Sequence, residues 1–499
     1  MNRPSSVRQR LYQHRFNHRF TNVMTCFRSL AGFERQWLVM ILLLACLPLS
    51  AQQLAGKWKG KLAVNQALSL RVGLTVSQVD SGYAATMDSP DQGAYGIPVD
   101  AVHFDGSVLK VTINKLSVIY EGTFTKDGEL TGLFKQGSTQ IPLVLTRDTA
   151  GEVNVSRPQE PKEPLPYKVE DVTFPNREAG ITLAGTLTLP SEKGPYPVVV
   201  LISGSGPQNR NEELFGHKPF LVISDFLARN GIAALRVDDR GTGSSTGDFS
   251  TATTQDFAGD VNAAVNYLKG RKEINRKHIG LAGHSEGGLI APMVASTRKG
   301  IDFIVLLAGP GLPGHNILLI QQQLIGKAMN MTDEQLEKTL ATNTTLFDIL
   351  LSGKEETSIK AQAKAFLMEE LAKTPISQKP AGKPDEVTAE EVLKAYTTPW
   401  MLNFLKYDPA PVLKKVHCPV LVLNGSKDLQ VSAVENLTAI KRALQDGGND
   451  RVTIREYPNL NHLFQTCKTG LPAEYGIIQE TISPQVLNDI SNWIRMTVK

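Results

Sequence analysis

The chain has 499 residues, of which 41% are hydrophobic and 20% charged, an ordinary globular balance with length for two or three domains. Its net charge is +4, and part of the excess is local: Arg3, Arg8, Arg10, Arg15, Arg19, Arg28 and Arg35 face one early acid, Glu34. No basic stripe remains in the body of the chain, which argues against a nucleic-acid partner.

The basic start leads into "WLVMILLLACLPLSAQQ". The apolar run from Trp37 to Leu49 is short for a bilayer span and suits the apolar core of a signal peptide. Residues 1–51 are therefore expected to be a signal peptide cleaved after Ala51. The mature protein is then exported, periplasmic or secreted, without a stable membrane anchor. Met24 offers an alternative start. Two other outcomes stay open. One is a lipoprotein processed at Cys46, although the Leu before Ala45 fits that site poorly. The other is a retained anchor, which the shortness of the run disfavours.

Residues 54–148 alternate apolar and polar between Gly and Asp turns, as in "LSLRVGLTVSQV" and "SVLKVTINKLSVIYEGTF". This is the pattern of short antiparallel strands. Residues 52–150 are expected to form a small all-β, lipocalin-like barrel or curled sheet, opening on "LAGKWKGKL". No acid pair or metal-ligand cluster is visible there. A packing or shielding role is favoured, with ligand or glycan binding as the alternative. The Pro- and Glu-rich residues 151–166 read as an extended linker.

From about Tyr167 the pattern changes. "DVTFPN" and "ITLAGTLTLP" read as an antiparallel pair. Then "YPVVVLISG", "IAALRVDD", "HIGLAGHS" and "IDFIVLLAG" alternate with helical segments. Near-continuous apolar strands between helices predict a mostly parallel sheet covered on both faces. The alternation stops at Pro310. Helical periodicity follows, with capping boxes read at Thr332 with Gln335 and Thr388 with Glu391. Residues 312–400 are expected to be a helical cap at the C-terminal edge of the sheet, where ligands bind. The sheet resumes at "CPVLVLNGSKD", a helix near 432–446 and "VTIREYP", and a helix from about Ser483 closes the chain.

Ser285 lies in Gly-x-Ser-x-Gly between Gly283 and Gly287. Alone the pattern is weak, arising by chance on the order of 0.2 times in such a chain. Its setting strengthens it: an apolar strand precedes it and a helix follows. A nucleophile on that turn is strained, and side chains at the flanking glycines would clash. The backbone N–H of Glu286 would supply half of an oxyanion hole. A hydroxyl needs a base, and the base an orienting acid. Asp428 follows the next strand after the cap and His462 the one after that, the order this architecture uses. Among rival histidines, His284 adjoins Ser285 and should diverge from it, whereas His217 and His315 could line the cleft. Asp238 and Asp239 read as a loop-holding ion pair with Arg240. The second oxyanion donor should come from "SGSGPQNRNE", through Ser205 or Gln208. Cys418 and Cys467 lie at opposite edges of the sheet, about 17 Å apart even for a short strand, beyond disulfide reach.

These motifs resemble the α/β-hydrolase superfamily, and within it the exported bacterial serine esterases related to dienelactone hydrolases and the serine aminopeptidase group. The likeness rests on "GSGPQNRN", "RVDDRGTGSSTG", "GHSEGG", "PWMLNFLKYDPAPVL", "VLNGSKDLQV" and "NLNHLFQ", in that order over residues 167–499. It implies Ser285, Asp428 and His462 as a catalytic triad hydrolysing small acyl esters through an acyl-enzyme, with no metal or cofactor. "SGSGP" departs from the His-Gly of many hydrolases and leaves the second oxyanion donor open. Trp400 and Phe404 of the cap are the expected substrate-binding residues. Two alternatives remain: a serine peptidase or aminopeptidase of the same fold, and a non-catalytic glycan-binding protein. The oligomeric state is not indicated.

Overall fold

The computed structural model describes residues 54–499, apart from 64–68, 80–81, 90–93, 137–138, 149–155, 192, 376–378 and 380–383. The expected signal peptide, with Met24, Cys26 and Cys46, therefore lies outside the described residues. Among those described, no helix is long and apolar enough to cross a membrane.

The alternating N-terminal segment forms strands β1 (Gly56–Ala63), β2 (Ser69–Val79), β3 (Gly82–Ser89), β4 (Ala94–Pro98), β5 (Ala101–Phe104), β6 (Val108–Ile113), β7 (Val118–Phe124), β8 (Leu130–Gln136) and β9 (Thr139–Arg147). They pair antiparallel in the order β4-β3-β2-β1-β9-β8-β7-β6-β5. The sheet curls until Tyr83 of β3 meets Phe104 of β5 edge to face, ring centroids 6.1 Å apart. One face is the core: Trp58, Leu74, Val111, Tyr120, Leu130 and Leu143 are all buried. The Tyr120 hydroxyl donates to the Leu130 carbonyl at 2.8 Å. Its ring lies over Gly122, where a Cβ would sit 2.3 Å from the hydroxyl oxygen. The expected all-β domain is present, and side chains fill its interior.

The second half is an α/β-hydrolase fold. Its strands are β10 (Lys168–Asn176), β11 (Ile181–Leu189), β12 (Tyr196–Ile202), β13 (Ala233–Val237), β14 (Ile274–His284), β15 (Phe303–Leu307), β16 (Val420–Gly425) and β17 (Val452–Tyr457). The order is β10-β11-β13-β12-β14-β15-β16-β17. β10 and β11 pair antiparallel at one edge, and the six strands from β13 onward are parallel. Alternate residues of β12 explain why its apolar run is unbroken. Val198, Val200 and Ile202 face α2 (Thr254–Lys269), α3 (Gly287–Thr297) and α10 (Ala433–Asp446). Val199 and Leu201 face α1 (Pro219–Arg229) and α11 (Pro484–Thr497). β12 is flanked by β13 on one side and β14 on the other, so the chain reverses direction across the sheet here. Such a switch point opens a crevice at the strands' carboxyl ends.

The cap consists of α4 (Gly314–Ala328), α5 (Asp333–Leu351), α6 (Glu356–Lys373), α7 (Asp385–Tyr396) and α8 (Pro399–Lys406), followed by the short α9 (Ala410–Leu413). It has its own core of Leu346, Phe347, Leu350, Ile359, Ala363, Leu367, Ala389 and Leu405. The Thr332–Gln335 capping box is present. The one expected at Thr388 is not: α7 starts a turn earlier, after Pro384, and the Thr388 hydroxyl donates back to the Pro384 carbonyl at 3.2 Å. A capping box that the sequence reading missed joins Thr253 and Asp256 at the start of α2.

Residues 157–166 carry no helix or strand, but the segment is fastened rather than free. Arg157 donates to the carbonyls of Gly476 (2.9 Å), Gly216 (3.0 Å) and Ile478. Gln159 pairs with the backbone of Thr481 and Ile482. His217 holds the same C-terminal segment from inside. It is 0% exposed, with Nδ1 on the Thr481 hydroxyl at 3.0 Å and Nε2 on the Tyr475 carbonyl at 2.9 Å. It is thus a core histidine, not a cleft residue. His315 likewise binds the Leu405 carbonyl at 3.1 Å, tying α4 to α8.

Burial pushes the His217 imidazole down from its ordinary 6.5 to about 4. Between those values the unfolded chain takes a proton that the folded chain refuses, so stability falls as pH falls through that window. In His217→Gln, melting temperature should drop less steeply between pH 6.5 and 4 than in the wild type, although the variant starts lower at pH 7. Equal slopes in thermal melts across that range would remove His217 as a source of acid lability.

Candidate active site

The loops after β12, β13, β14, β16 and β17 meet at the crevice. At its centre the chain turns from β14 into α3, and Ser285 takes φ 52°. Such a conformation is strained for a side-chain-bearing residue. It holds because backbone is packed on backbone. A Cβ at Gly283 would sit 1.9 Å from the Gly287 carbonyl oxygen, one at Gly287 2.3 Å from the Ile202 oxygen, and one at Gly288 2.5 Å from the Gly309 Cα. The Ser285 N–H is anchored to the Leu307 carbonyl at 2.9 Å. Ser285 therefore stands at the N-terminus of α3, where backbone N–H groups favour negative charge.

Asp428 and His462 come together across a gap of 34 residues: His462 Nδ1 lies 2.8 Å from Asp428 Oδ2. The other carboxylate oxygen, Oδ1, accepts the N–H groups of Gln430 and Val431, both at 2.8 Å. The carboxylate is thus aimed before any substrate arrives. The His462 loop is braced by Asn461, which is fully buried. Its side-chain oxygen accepts from the N–H of Leu463 (3.0 Å) and of Gln465 (2.9 Å), and its amide donates to Gln465 Oε1 at 2.9 Å.

His284 turns away from Ser285 as expected. Its Nε2 lies 3.0 Å from the His462 carbonyl oxygen, and its ring centroid 4.9 Å from that of His462. The loop after β12 closes the other side: a Cβ at Gly204 would lie 3.2 Å from the Ser285 Cβ. Within that loop the two oxyanion candidates separate. The Gln208 backbone N–H is donated to Asp239 Oδ2 at 2.9 Å, and the Gly204 N–H to Glu212 Oε1 at 2.7 Å. The Gln208 N–H is thereby committed to Asp239.

The ion pairing of the β13 loop differs from the expectation. Asp238 pairs with Arg210, whose Nε and Nη2 reach it at 3.1 and 2.7 Å. Arg240 pairs with Asp260 through Nε at 2.7 Å and Nη2 at 2.9 Å. Asp239 makes no ion pair among the described residues; it accepts from the Ser203 hydroxyl at 2.6 Å. Burial raises its carboxyl to about 7 against the pull of those two donors. Arg210 and Glu212 both sit in "GPQNRNEE", and no local spacing marked either as a staple.

Glu286 was singled out for its backbone, yet its side chain is also engaged. Its Oε1 accepts from the Thr254 hydroxyl and from the Trp400 indole N–H, each at 2.7 Å. Burial raises this carboxyl's pKa. The contact ties the cap helix α8 to the residue beside the serine. Trp400 stacks on Phe404 with centroids 5.3 Å apart at 10°. Phe404 itself is only 7% exposed and packs against Leu289 and Ile317. Of the two aromatic residues expected to meet substrate, only Trp400 is part-exposed. A pocket beside Glu286 is lined by Ser203, Gly204, Asp239, Phe257 and Ile290. Cys418 and Cys467 both carry free thiols.

The chain is similar to several known proteins. The chain is 25% identical over 360 residues to Esterase EstD of Thermotoga maritima, covering 71% of this chain and 76% of that one. It is 32% identical over 124 residues to the mitochondrial Acyl-coenzyme A thioesterase 2 of Rattus norvegicus, but spans only 24% of that relative's length. A solved esterase of Pyrococcus furiosus superposes with a TM-score of 0.41 at 16% identity, over 67% of this chain and 92% of that one. Residues 179–456 match the family model described as X-Pro dipeptidyl-peptidase (S15 family). That match takes in more than half of the chain, including the elbow and Asp428: the chain is a hydrolase of the α/β-hydrolase fold and belongs to the S15 peptidase family.

Proposed function

We propose that the chain is a serine carboxylesterase that hydrolyses short-chain acyl esters. The observation that carries this reading is the 2.8 Å contact of His462 Nδ1 with Asp428, together with a serine held at φ 52° on a strand-to-helix turn. In the mechanism it supports, His462 Nε2 takes the Ser285 Oγ proton as the oxygen attacks the ester carbonyl. Asp428 holds Nδ1–H, fixing the tautomer. The oxyanion is received by the N–H groups of Glu286 and Ser205. His462 then returns its proton to the departing alcohol. Water, deprotonated by the same imidazole, cleaves the acyl-enzyme and restores the serine. The N-terminal residues 1–51 support an exported protein.

A peptidase reading is favoured by the family match over residues 179–456, since the same machinery serves amides. The esterase relative aligns over a longer stretch, which supports the ester reading. Aryl acetate and butyrate should therefore be cleaved with higher kcat/KM than X-Pro or aminoacyl anilides. Faster turnover of X-Pro anilides would make the protein a peptidase.

Ser285→Ala should lose at least about a thousandfold in kcat on aryl esters and escape labelling by a fluorophosphonate. Full activity in this variant would sink the triad. In the wild type, kcat/KM should fall between pH 8 and pH 5, as a general-base mechanism requires, and a flat profile would exclude His462 as the base. Trp400→Phe keeps the ring stack and removes the donor to Glu286. It should cost about 1–3 kcal/mol in urea unfolding; an unchanged midpoint would mean that the cap contact contributes nothing.

A further inference from the structure

Beneath the crevice lies a second histidine–carboxylate pair that the proposed reaction does not use. Glu212, in the loop after β12, is 2% exposed and has φ 50°. Its Oε1 accepts the Gly204 N–H at 2.7 Å and lies 2.9 Å from His284 Nδ1. The opposite ring nitrogen, Nε2, lies 3.0 Å from the His462 carbonyl oxygen. Phe220, Ile223, Leu307, Leu463, Phe464 and Ile482 line a small apolar cavity beside the pair.

Proton counting determines the ring's state. A carbonyl oxygen can only accept, so Nε2 carries hydrogen. Oε1 already accepts the Gly204 N–H, the role of a carboxylate oxygen. An ionised Oε1 can only accept as well, so Nδ1 also carries hydrogen. A ring with both protons is an imidazolium. Burial alone would strip that charge; the facing Glu212 carboxylate, its hydrogen bond and the more distant Asp428 restore it, leaving the His284 pKa raised. The other charged or titratable groups around the pair are His462, whose ring is 4.9 Å away, and Asp239, which senses Glu212. The surrounding faces of α1, β15 and residues 463–464 are apolar.

We infer that His284 and Glu212 form a buried imidazolium–carboxylate clamp that positions three loops: that of Gly204 and Ser205, the turn carrying Ser285, and the loop of His462. This rests on the triad reading given above. His284 and Glu212 are positioning residues, since neither reaches the reacting atoms. The clamp has an electrostatic consequence. A fixed positive ring 4.9 Å from the His462 ring disfavours further positive charge in the site, so turnover is retained further into acid.

The ring state is read directly, without turnover, by ¹⁵N–¹H correlation spectra of the full chain labelled at its nine histidines. At pH 8.5 one ring should carry protons on both nitrogens, and it should persist in His462→Ala. If every ring carries a single proton, the pair is neutral and the inference fails. The second test is the pH profile of kcat/KM. His284→Gln should lower kcat/KM about tenfold at pH 8 and move the acid limb up by about one pH unit. Glu212→Gln, which still offers an acceptor to Gly204, should move it in the same direction. A uniform loss at every pH, with the limb unmoved, would reduce the pair to packing. If either variant fails to fold, the wild-type spectrum still decides. Loss of the triad reading appears separately, as full activity in Ser285→Ala.

Discussion

The site depends on one backbone constraint, the turn that holds Ser285 in the left-handed region. Nothing in the serine side chain favours that conformation, and an isolated peptide would relax out of it. The turn survives because its neighbours have no side chains. Gly283 lets β14 meet the start of α3, Gly287 lets that helix press on the end of β12, and Gly288 admits the loop after β15. Each approach is closer than any Cβ allows. The position of Ser285 is thus set by main-chain packing among three parallel strands and one helix.

Around that turn the loops are held by buried charge rather than by regular structure. Arg210 on Asp238, Arg240 on Asp260 and His284 on Glu212 each join segments distant in the chain. A loop cannot saturate its own polar groups as a helix or strand does, and burying it leaves donors and acceptors to be matched. Asp239 and Glu286, which have no cationic partner among the described residues, are carboxyls whose pKa burial raises. Both take neutral hydrogen-bond donors instead, and both adjoin the pocket beside the serine.

The cap has a core of its own, so it is more than an extended loop. It meets the hydrolase fold at the elbow through two contacts of different character. Phe404 packs on Leu289 of α3, and Trp400 donates to Glu286. The first is apolar and non-directional. The second is directional and reaches Glu286, the residue after Ser285, so movement of the cap would be felt at that turn.

Much of this was written locally and could be read from the chain alone. Period-two alternation marked the all-β half, and unbroken apolar strands between helices marked a parallel sheet, because burial on one face or two imposes those patterns. The glycines around Ser285, and Asp428 and His462 after successive strands, were legible for the same reason: the architecture places strand ends in a known order. Where several local signals competed, the reading failed. Thr388 resembles a cap, but Pro384 and two acids already start that helix. What tertiary structure alone decided were the long-range partners: Arg210 rather than Arg240 on Asp238, Gln208 spent on Asp239, Trp400 on Glu286, and His284 between Glu212 and His462. Such pairs lie 28 to 178 residues apart. Their geometry follows from how loops meet at the sheet's edge, and no spacing within the chain encodes it.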